Sequence, residues 1–263
     1  MVFFAPAFAY KAAGALFFLF PVLAWVLARP RRTAEPLKGA SRAAAVGYAR
    51  EIWSFFADTV GERSGDLPVD NLQLSPTESR ADRTSPTNIG LYLLAVCAAN
   101  DFGFIGDGEL AERVGRTVSA VERLDKYAGN LYNWYTLPGG KILGSPYVSA
   151  VDSGNFVTCL VALETLLREK SLDALAGRVR ALIDATDFSV LFSEKKQLFY
   201  IGIEPSRPQP APVYYDLLMS ESRTLSYYAV SSGLLSKRHW QTLSRYPRLR
   251  AGSVGMASWS GTM

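Results

Sequence analysis

Apolar helical segments alternate with charged ones along most of this chain, and no other sequence feature restricts the fold as much. The stretches 86–103 and 152–166 are strongly apolar, whereas Leu110–Tyr127 and Leu172–Ala185 carry many charges. Apolar segments with helical periodicity belong in a buried layer, and amphipathic segments expose one face to solvent. The pattern therefore predicts inner helices that are covered by outer helices.

Polar and aromatic loops lead into the apolar segments, at Gly61–Arg83 and Gly129–Tyr147. Buried inner helices, half-exposed outer helices and long loops at the inner-helix ends are what an α/α toroid requires, whereas a four-helix bundle needs no such loops. About seven helices are predicted after residue 40, roughly half of those in a closed ring of six hairpins. Thr84-Ser85-Pro86 predicts the start of one of them, with a capping hydroxyl and proline at the first helical position. The last two are predicted at Tyr214–Ser231 and Lys237–Arg245. The sequence predicts an all-α fold, a partial (α/α)6 toroid, with one small β-hairpin across Ser193–Gln197.

Residues Ala12–Ala28 form an uninterrupted apolar run at the lower length limit for a membrane-spanning helix. Arg29, Arg31 and Arg32 follow this run, which is the opposite polarity to that of a secretory signal peptide. The positive-inside rule then places the rest of the chain on the cytoplasmic side of the inner (plasma) membrane. The alternative is a buried helix of a soluble protein.

The domain organisation follows from these segments. We expect a membrane segment with a basic flank at 1–32, a polar linker at 33–44 and one helical domain at 45–263. The chain has 263 residues, of which 49% are hydrophobic, so this domain is large enough to bury a core.

The residue types present exclude several kinds of chemistry. The chain has one histidine, His239, and two cysteines, Cys97 and Cys159, which lie in apolar stretches and are expected to be buried thiols. This content excludes most His/Cys metal sites, and the sequence has no phosphate-binding or dinucleotide-binding motif, so neither a metal nor a cofactor is expected. The net charge is +4 with scattered basic residues, which does not indicate nucleic-acid binding.

Six ordered segments carry a resemblance to a known family. They are Asp70–Gln73 (DNLQ), Asp82–Leu94 (DRTSPTNIGLYLL), Tyr132–Tyr135 (YNWY), Val151–Asn155 (VDSGN), Tyr214–Arg223 (YYDLLMSESR) and Ser258–Met263 (SWSGTM). Together they resemble the glycoamylase-like domain of cyclic β-1,2-glucan synthases, over nearly all of the chain from about Ala45. An arginine-flanked membrane helix just before that domain is also similar to those synthases.

The resemblance implies an (α/α)6 toroid that acts on β-1,2-glucan, as a transglycosylase in the synthases and as a glycoside hydrolase in relatives. Family members continue past the SWSGTM string, so the resemblance implies that 45–263 is the N-terminal half of the domain. It also implies that the main catalytic carboxylates lie beyond Met263 and that the chain is inactive alone if it is truncated. The alternative is a non-catalytic glucan-binding or assembly element that docks to a partner half or to a glucan synthase polypeptide.

The candidate site residues come from the same segments. Glycoside transfer needs two carboxylates across the scissile bond, an arginine and an asparagine offer fixed donors to vicinal diols, and aromatic rings suit the C–H faces of sugars. The candidate substrate-binding residues are Asp70, Asn71, Arg83, Asn88, Asn133, Trp134, Tyr135, Asp152, Asn155, Glu221, Arg223 and Trp259, and no catalytic residue is assigned.

Structural roles are the alternatives for these residues. Asp152 would cap a helix that starts at Asp152-Ser153, and Glu221 would pair with a neighbouring arginine. Arg83 would lock the preceding loop through backbone carbonyls, and the aromatic rings would pack in the core. His239 is expected to be structural.

Overall fold

Eight helices and six two-stranded sheets form the part of the chain that the computed structural model describes, residues 5–27, 38–207, 213–250 and 253–258. The helices are α1 (Ala5–Leu27), α2 (Gly39–Thr59), α3 (Pro86–Asp101), α4 (Asp107–Arg123), α5 (Ala150–Glu169), α6 (Asp173–Ala185), α7 (Arg223–Ser231) and α8 (Lys237–Thr242). The chain divides into two units, residues 1–45 and residues 46–263.

The strands are short, and each pairs with one antiparallel neighbour. They are β1 (Leu72–Gln73), β2 (Ser79–Arg80), β3 (Arg83–Thr84), β4 (Lys126–Tyr127), β5 (Asn130–Leu131), β6 (Tyr135–Thr136), β7 (Val148–Ser149), β8 (Phe192–Ser193), β9 (Leu198–Phe199), β10 (Gly202–Ile203), β11 (Pro247–Arg250) and β12 (Ser253–Met256). The pairs are β1–β2, β3–β6, β4–β5, β7–β10, β8–β9 and β11–β12. The predicted hairpin is confirmed as β8–β9, and the other five pairs were not predicted from the sequence.

Helix α1 confirms a helix in the first apolar run. Its large side chains are exposed, with Phe17 at 80% and Phe18 at 83%. Among the described residues, the helix that is long and apolar enough to cross a membrane is α5, and more than half of it is buried, whereas α1 contributes a shorter apolar stretch, Ala13–Val22. Ala28, the arginines at 29, 31 and 32 and the first part of the linker lie outside the described residues.

The predicted alternation of inner and outer helices is confirmed in the second unit. Helix α5 packs against α3, α6 and α7, and α4 packs against α3 and α6. Helix α3 is buried on several sides, whereas α4 and α6 bury one stripe each, such as Leu110, Val114 and Val118 of α4. The amphipathic helices therefore form the outer layer.

The start of α3 was predicted and the start of α5 was not. Ser85 caps α3, with Pro86 at the first helical position, as the sequence indicates. Helix α5 starts at Ala150, and its cap is Ser149, three residues before the predicted cap, since the Ser149 hydroxyl accepts a hydrogen bond from the backbone N–H of Asp152 at 3.2 Å. Asp152 therefore lies in the first turn of α5, and the prediction that it caps the helix is wrong.

The helix predicted from Tyr214 begins only at Arg223. The backbone N–H of Tyr215 donates to the carbonyl of Phe199 at 2.9 Å, and that of Leu218 donates to the carbonyl of Ser244 at 3.0 Å. These tertiary hydrogen bonds replace the helical ones, since each backbone group needs one partner when it is buried.

The cysteines and the histidine have structural positions, as predicted. Cys97 and Cys159 are free and buried, and burial raises the pKa of each thiol to about 11. His239 is fully buried between the rings of Phe192 and Phe199, and its Nδ1 lies 2.9 Å from the carbonyl of Gln197. Burial lowers the pKa of His239, so this imidazole is neutral at pH 7.

A buried carboxylate joins α5 to α6. The side chain of Glu164 is 7% exposed and forms ion pairs with Arg168 and Arg180. Burial alone would raise the pKa of this carboxyl, but the hydrogen bonds from Arg180 and Arg168 outweigh it, so the pKa lies below its ordinary value of 4.5. A group with a lowered folded-state pKa stabilises the fold above its unfolded-state pKa and loses that contribution as the pH falls through the folded-state pKa.

We therefore expect Glu164→Gln to lower the free energy of unfolding by about 1–2 kcal/mol at pH 7. The difference from the wild type should shrink as the pH falls below 4.5. Urea unfolding at a series of pH values measures both effects. The control is Glu122→Gln, which removes an exposed ion pair with Arg178 and should cost much less. A pH-independent difference for Glu164→Gln would contradict the assignment.

Candidate functional site

The inner helices α3, α5 and α7 have their N-terminal turns at the same end of the second unit. The Asn155 Nδ2 of α5 donates to the Thr87 Oγ1 of α3 at 3.2 Å. A Cβ atom on Gly154 of α5 would lie 2.4 Å from the Cβ of Leu225 of α7, so these two helices also touch near their starts. The loops that precede the three helices therefore meet at this end.

Asp70 joins the first loop to α3. Its carboxylate accepts hydrogen bonds from Arg83 (Nε 3.1 Å, Nη2 2.9 Å), from Asn88 Nδ2 at 3.1 Å and from Asn71 Nδ2 at 3.0 Å. The Asp70 side chain is 15% exposed, whereas that of Arg83 is 44% exposed. The carboxylate thus holds the guanidinium in place while part of it stays accessible.

Trp134 lies against this arginine. The Cζ atom of Arg83 is 4.6 Å from the centroid of the Trp134 ring system. Pairing of β3 with β6 brings the two segments together, with Thr84 opposite Tyr135. Because the guanidinium covers one face of the half-buried indole, at most one face is left for a sugar ring.

Asn133, next to Trp134 in sequence, binds Asp152. The Asn133 Nδ2 donates to Asp152 Oδ2 at 3.0 Å, and its backbone N–H donates to the carbonyl of Tyr147 at 2.8 Å. The Asn133 Oδ1 is buried and has no hydrogen-bond partner among the described residues. Residues 133 and 134 therefore connect two groups, the Asp70–Arg83–Asn88 group and Asp152.

Two tyrosines that are not among the candidate site residues, Tyr147 and Tyr215, lie near enough to Asp152 to be influenced by its charge. Burial, followed by the negative charges of Asp152 and Glu204, raises the pKa of Tyr147. Burial, followed by the charge of Glu221 and then by Tyr147 and Asp152, raises the pKa of Tyr215 to about 12. Both phenols are therefore protonated hydrogen-bond donors at pH 7. Only their place in aromatic loops could have indicated them in the sequence.

The remaining predicted site residues have other positions. Tyr135 is fully buried, and its hydroxyl donates to the carbonyl of Asp125 at 2.5 Å and accepts from the backbone N–H of Tyr132 at 2.8 Å. This ring packs in the core, the alternative that the sequence left open, and we omit Tyr135 from the site. The side-chain amide of Asn155 forms a hydrogen bond that links α5 to α3.

Glu221 and Arg223 are both exposed. The Arg223 Nη1 contacts the sulfur of Met219 at 3.2 Å, and within the described part of the chain no ion pair engages Glu221. The expected pairing of Glu221 with a neighbouring arginine is therefore not seen there. Trp259 and most of its SWSGTM string lie outside the described residues. The residues that the structure describes contain no group of three or more His, Cys, Asp or Glu side chains that could hold a metal ion.

Comparisons with known proteins agree with the resemblance seen in the sequence. No family model matches the chain. The cyclic β-(1,2)-glucan synthase NdvB of Rhizobium meliloti (strain 1021) is 39% identical over 166 residues, which is 62% of this chain. The chain spans about 6% of the length of that relative. The sequence resemblance to a cyclic β-1,2-glucan synthase is thus confirmed.

Solved structures confirm the fold. The endo-β-1,2-glucanase of Chitinophaga pinensis, in a complex with sophorotriose and glucose, has a TM-score of 0.66 and 17% identity, covering 84% of this chain and 56% of that one. A Bacteroides fragilis NCTC 9343 protein, provisionally assigned as a glucoamylase, has a TM-score of 0.64 and 17% identity, covering 89% of this chain and 58% of that one. The helical part of this chain therefore has the fold of part of a glucoamylase-like (α/α)6 domain.

Proposed function

We propose that this chain, which is similar to part of a cyclic β-1,2-glucan synthase, holds β-1,2-glucan at the N-terminal ends of its inner helices. One observation carries the proposal. Trp134 contacts Arg83, and the adjacent Asn133 binds Asp152, so one short loop joins both groups of predicted site residues. The glucan-binding domain would correspond to residues 45–263, preceded by a membrane segment at 1–32 and a linker at 33–44.

The chemistry of the site suits a sugar chain. Arg83 and Asn88 carry several N–H donors, and the carboxylate of Asp152 accepts hydrogen bonds, so neighbouring sugar hydroxyls can both donate and accept. The free face of Trp134 provides an apolar surface for the C–H face of a pyranose. Asn71, at the edge of the Asp70 group, is exposed and extends the same polar surface.

Turnover of the glucan would be transglycosylation or hydrolysis, as the resemblance implies. Both reactions use two carboxylates on either side of the glycosidic bond. Asp152, Glu204 and Glu221 are the carboxylates that influence Tyr147 and Tyr215, and hence lie in this region. Asp152 is held by a side-chain hydrogen bond from Asn133, whereas Glu221 is exposed.

A second candidate function is binding without cleavage. The exposed position of Glu221, without an ion pair among the described residues, favours it, since a catalytic acid is normally positioned by its neighbours. In this case the chain is a glucan-binding or assembly element that docks to a glucan synthase polypeptide.

We also propose that α1 anchors the chain in the inner (plasma) membrane with the helical domain in the cytoplasm. The exposed apolar side chains of α1 and the arginines that follow it in sequence support this orientation.

The test is to incubate the detergent-purified full chain with linear β-1,2-glucan, to analyse the products by mass spectrometry and to titrate binding in parallel. A linear β-1,3-glucan of similar length is the linkage control. Rings or shortened chains would establish turnover, and selective binding without products would establish the binding element. Equal binding of both glucans, or of neither, would contradict the proposal.

A further inference from the structure

Tyr147 directly precedes β7 and Glu204 directly follows β10, the two strands of one short ladder. In the β7–β10 pair, Ser149 is opposite Gly202 and Val148 is opposite Ile203. Tyr147 and Glu204 therefore flank the same end of this ladder, and the negative charge of Glu204 contributes to the raised pKa of Tyr147. The pairing brings a phenol and a carboxylate near each other, just before α5 begins.

Gly202 fixes where the Tyr147 ring can lie. A Cβ atom on Gly202 would be 2.1 Å from the Tyr147 hydroxyl oxygen and 2.3 Å from its Cζ. The end of the tyrosine ring therefore rests on the bare backbone of Gly202, a position that any other side chain at 202 would block.

Asn133 holds the same tyrosine next to Asp152. Its backbone N–H donates to the carbonyl of Tyr147 and its side-chain amide donates to Asp152. Ser149, two residues after Tyr147, accepts the backbone N–H of Asp152. Three independent contacts thus set the relative positions of Tyr147 and Asp152.

The hydroxyl of Tyr147 is available to a ligand. It is partly desolvated and influenced by two carboxylates, and it makes no hydrogen bond to any residue that the structure describes. One carboxylate oxygen of Glu204, Oε2, is buried. It lies 3.2 Å from the Nη1 atom of Arg207. A partly buried donor that has no hydrogen-bond partner contributes most to binding when a ligand hydroxyl accepts its hydrogen bond.

We propose that Tyr147, Asp152 and Glu204 form a subsite for one pyranose unit of the glucan, in which Tyr147 donates to a sugar hydroxyl and the carboxylates accept from neighbouring hydroxyls. This inference rests on the proposed glucan-binding function. One donor near two acceptors matches a vicinal diol, in which both hydroxyls can donate to the carboxylates and one of them can accept from the phenol.

The test compares binding of linear β-1,2-glucan oligosaccharides by the full chain and by Tyr147→Phe, Glu204→Gln and Gly202→Ala. Tyr147→Phe removes one hydroxyl and keeps the ring, so the Kd should rise about fivefold to tenfold. Glu204→Gln should give a rise of similar size. Gly202→Ala should weaken binding at least as much because it displaces the ring. Tyr227→Phe, at a 65% exposed tyrosine of α7, is the matched control and should leave the Kd unchanged.

The outcomes separate this subsite from the general function. If the wild type binds the glucan and Trp134→Ala weakens binding, while Tyr147→Phe and Glu204→Gln stay within twofold of the wild type, the subsite is wrong and the proposed function stands. If the wild type does not bind, both are wrong. Thermal unfolding of each variant shows whether it folds, and Tyr147→Phe decides the matter should Gly202→Ala fail to fold.

Discussion

Replacing Trp134 with alanine is expected to weaken the binding of linear β-1,2-glucan about thirtyfold, the effect of losing about 2 kcal/mol at an aromatic residue central to a binding site. Two losses combine. The free face of the indole disappears, and Arg83, whose Cζ lies 4.6 Å from the ring centroid, loses the surface on which it rests. Isothermal titration of the detergent-purified chain measures the Kd directly.

The matched control for Trp134 is Trp240→Ala, because Trp240 lies on α8 in an apolar groove with Tyr227, and none of the candidate site residues lines that groove. Its Kd should equal that of the wild type.

Asp152→Ala tests the other half of the site and should also weaken binding, since it removes the carboxylate that Asn133 holds. Unchanged affinity in both Trp134→Ala and Asp152→Ala would show that this end of the helices is not the glucan site.

The largest effect on stability is expected for Gly129→Ala. The β4–β5 hairpin turns through Ala128 and Gly129, both with positive φ (47° and 77°), as a type I′ turn requires. A Cβ atom on Gly129 would lie 1.8 Å from the carbonyl oxygen of Ala185. The left-handed backbone costs alanine about 1–2 kcal/mol, and moving the end of α6 costs about 1–3 kcal/mol more. We expect a loss of about 2–5 kcal/mol.

Gly177→Ala is the matched control for Gly129→Ala. Gly177 lies within α6, and a Cβ atom there would meet nothing within 4 Å. Alanine in a helix interior is favoured over glycine by about 0.5–1 kcal/mol, so this variant should be at least as stable as the wild type. Urea unfolding of both variants measures the difference. Equal stability would mean that the turn does not pack against the end of α6.

Much of the fold was predictable because local sequence and tertiary environment agree in the long helices. The Ser85–Pro86 start of α3 follows from side-chain and backbone chemistry within four residues. The helix predicted across residues 214–222 was wrong because its apolar residues form tertiary contacts with the chain near Phe199 and Ser244 instead. Hydrophobic periodicity indicates that a segment is apolar. It does not indicate which distant carbonyl groups accept hydrogen bonds from the backbone N–H groups of that segment.

The candidate site was also predictable only in part from the sequence. Asp70, Arg83 and Asn88 lie within 19 residues of one another, and the chemistry of their side chains is enough to predict a polar site. Tyr147 and Glu204 are 57 residues apart, and the pairing of β7 with β10, which they directly flank, brings them near each other. Tyr135 and Trp134 are neighbours of the same residue class, yet one is fully buried and the other contacts Arg83. Tyr135 is the first residue of β6 and Trp134 precedes that strand, so their tertiary environments separate their roles.

The sequence by itself determined the order of inner and outer helices, the apolar N-terminal helix, the start of α3 and the residue types of the site, because each depends on side chains that are close in the chain. The tertiary structure decided the partners of Asp70 and Asp152 and, through the pairing of β7 with β10, the grouping of Tyr147 with Glu204. Those features depend on hydrogen bonds between segments that are distant in sequence. Such bonds form only when buried polar groups find their partners in the packed fold.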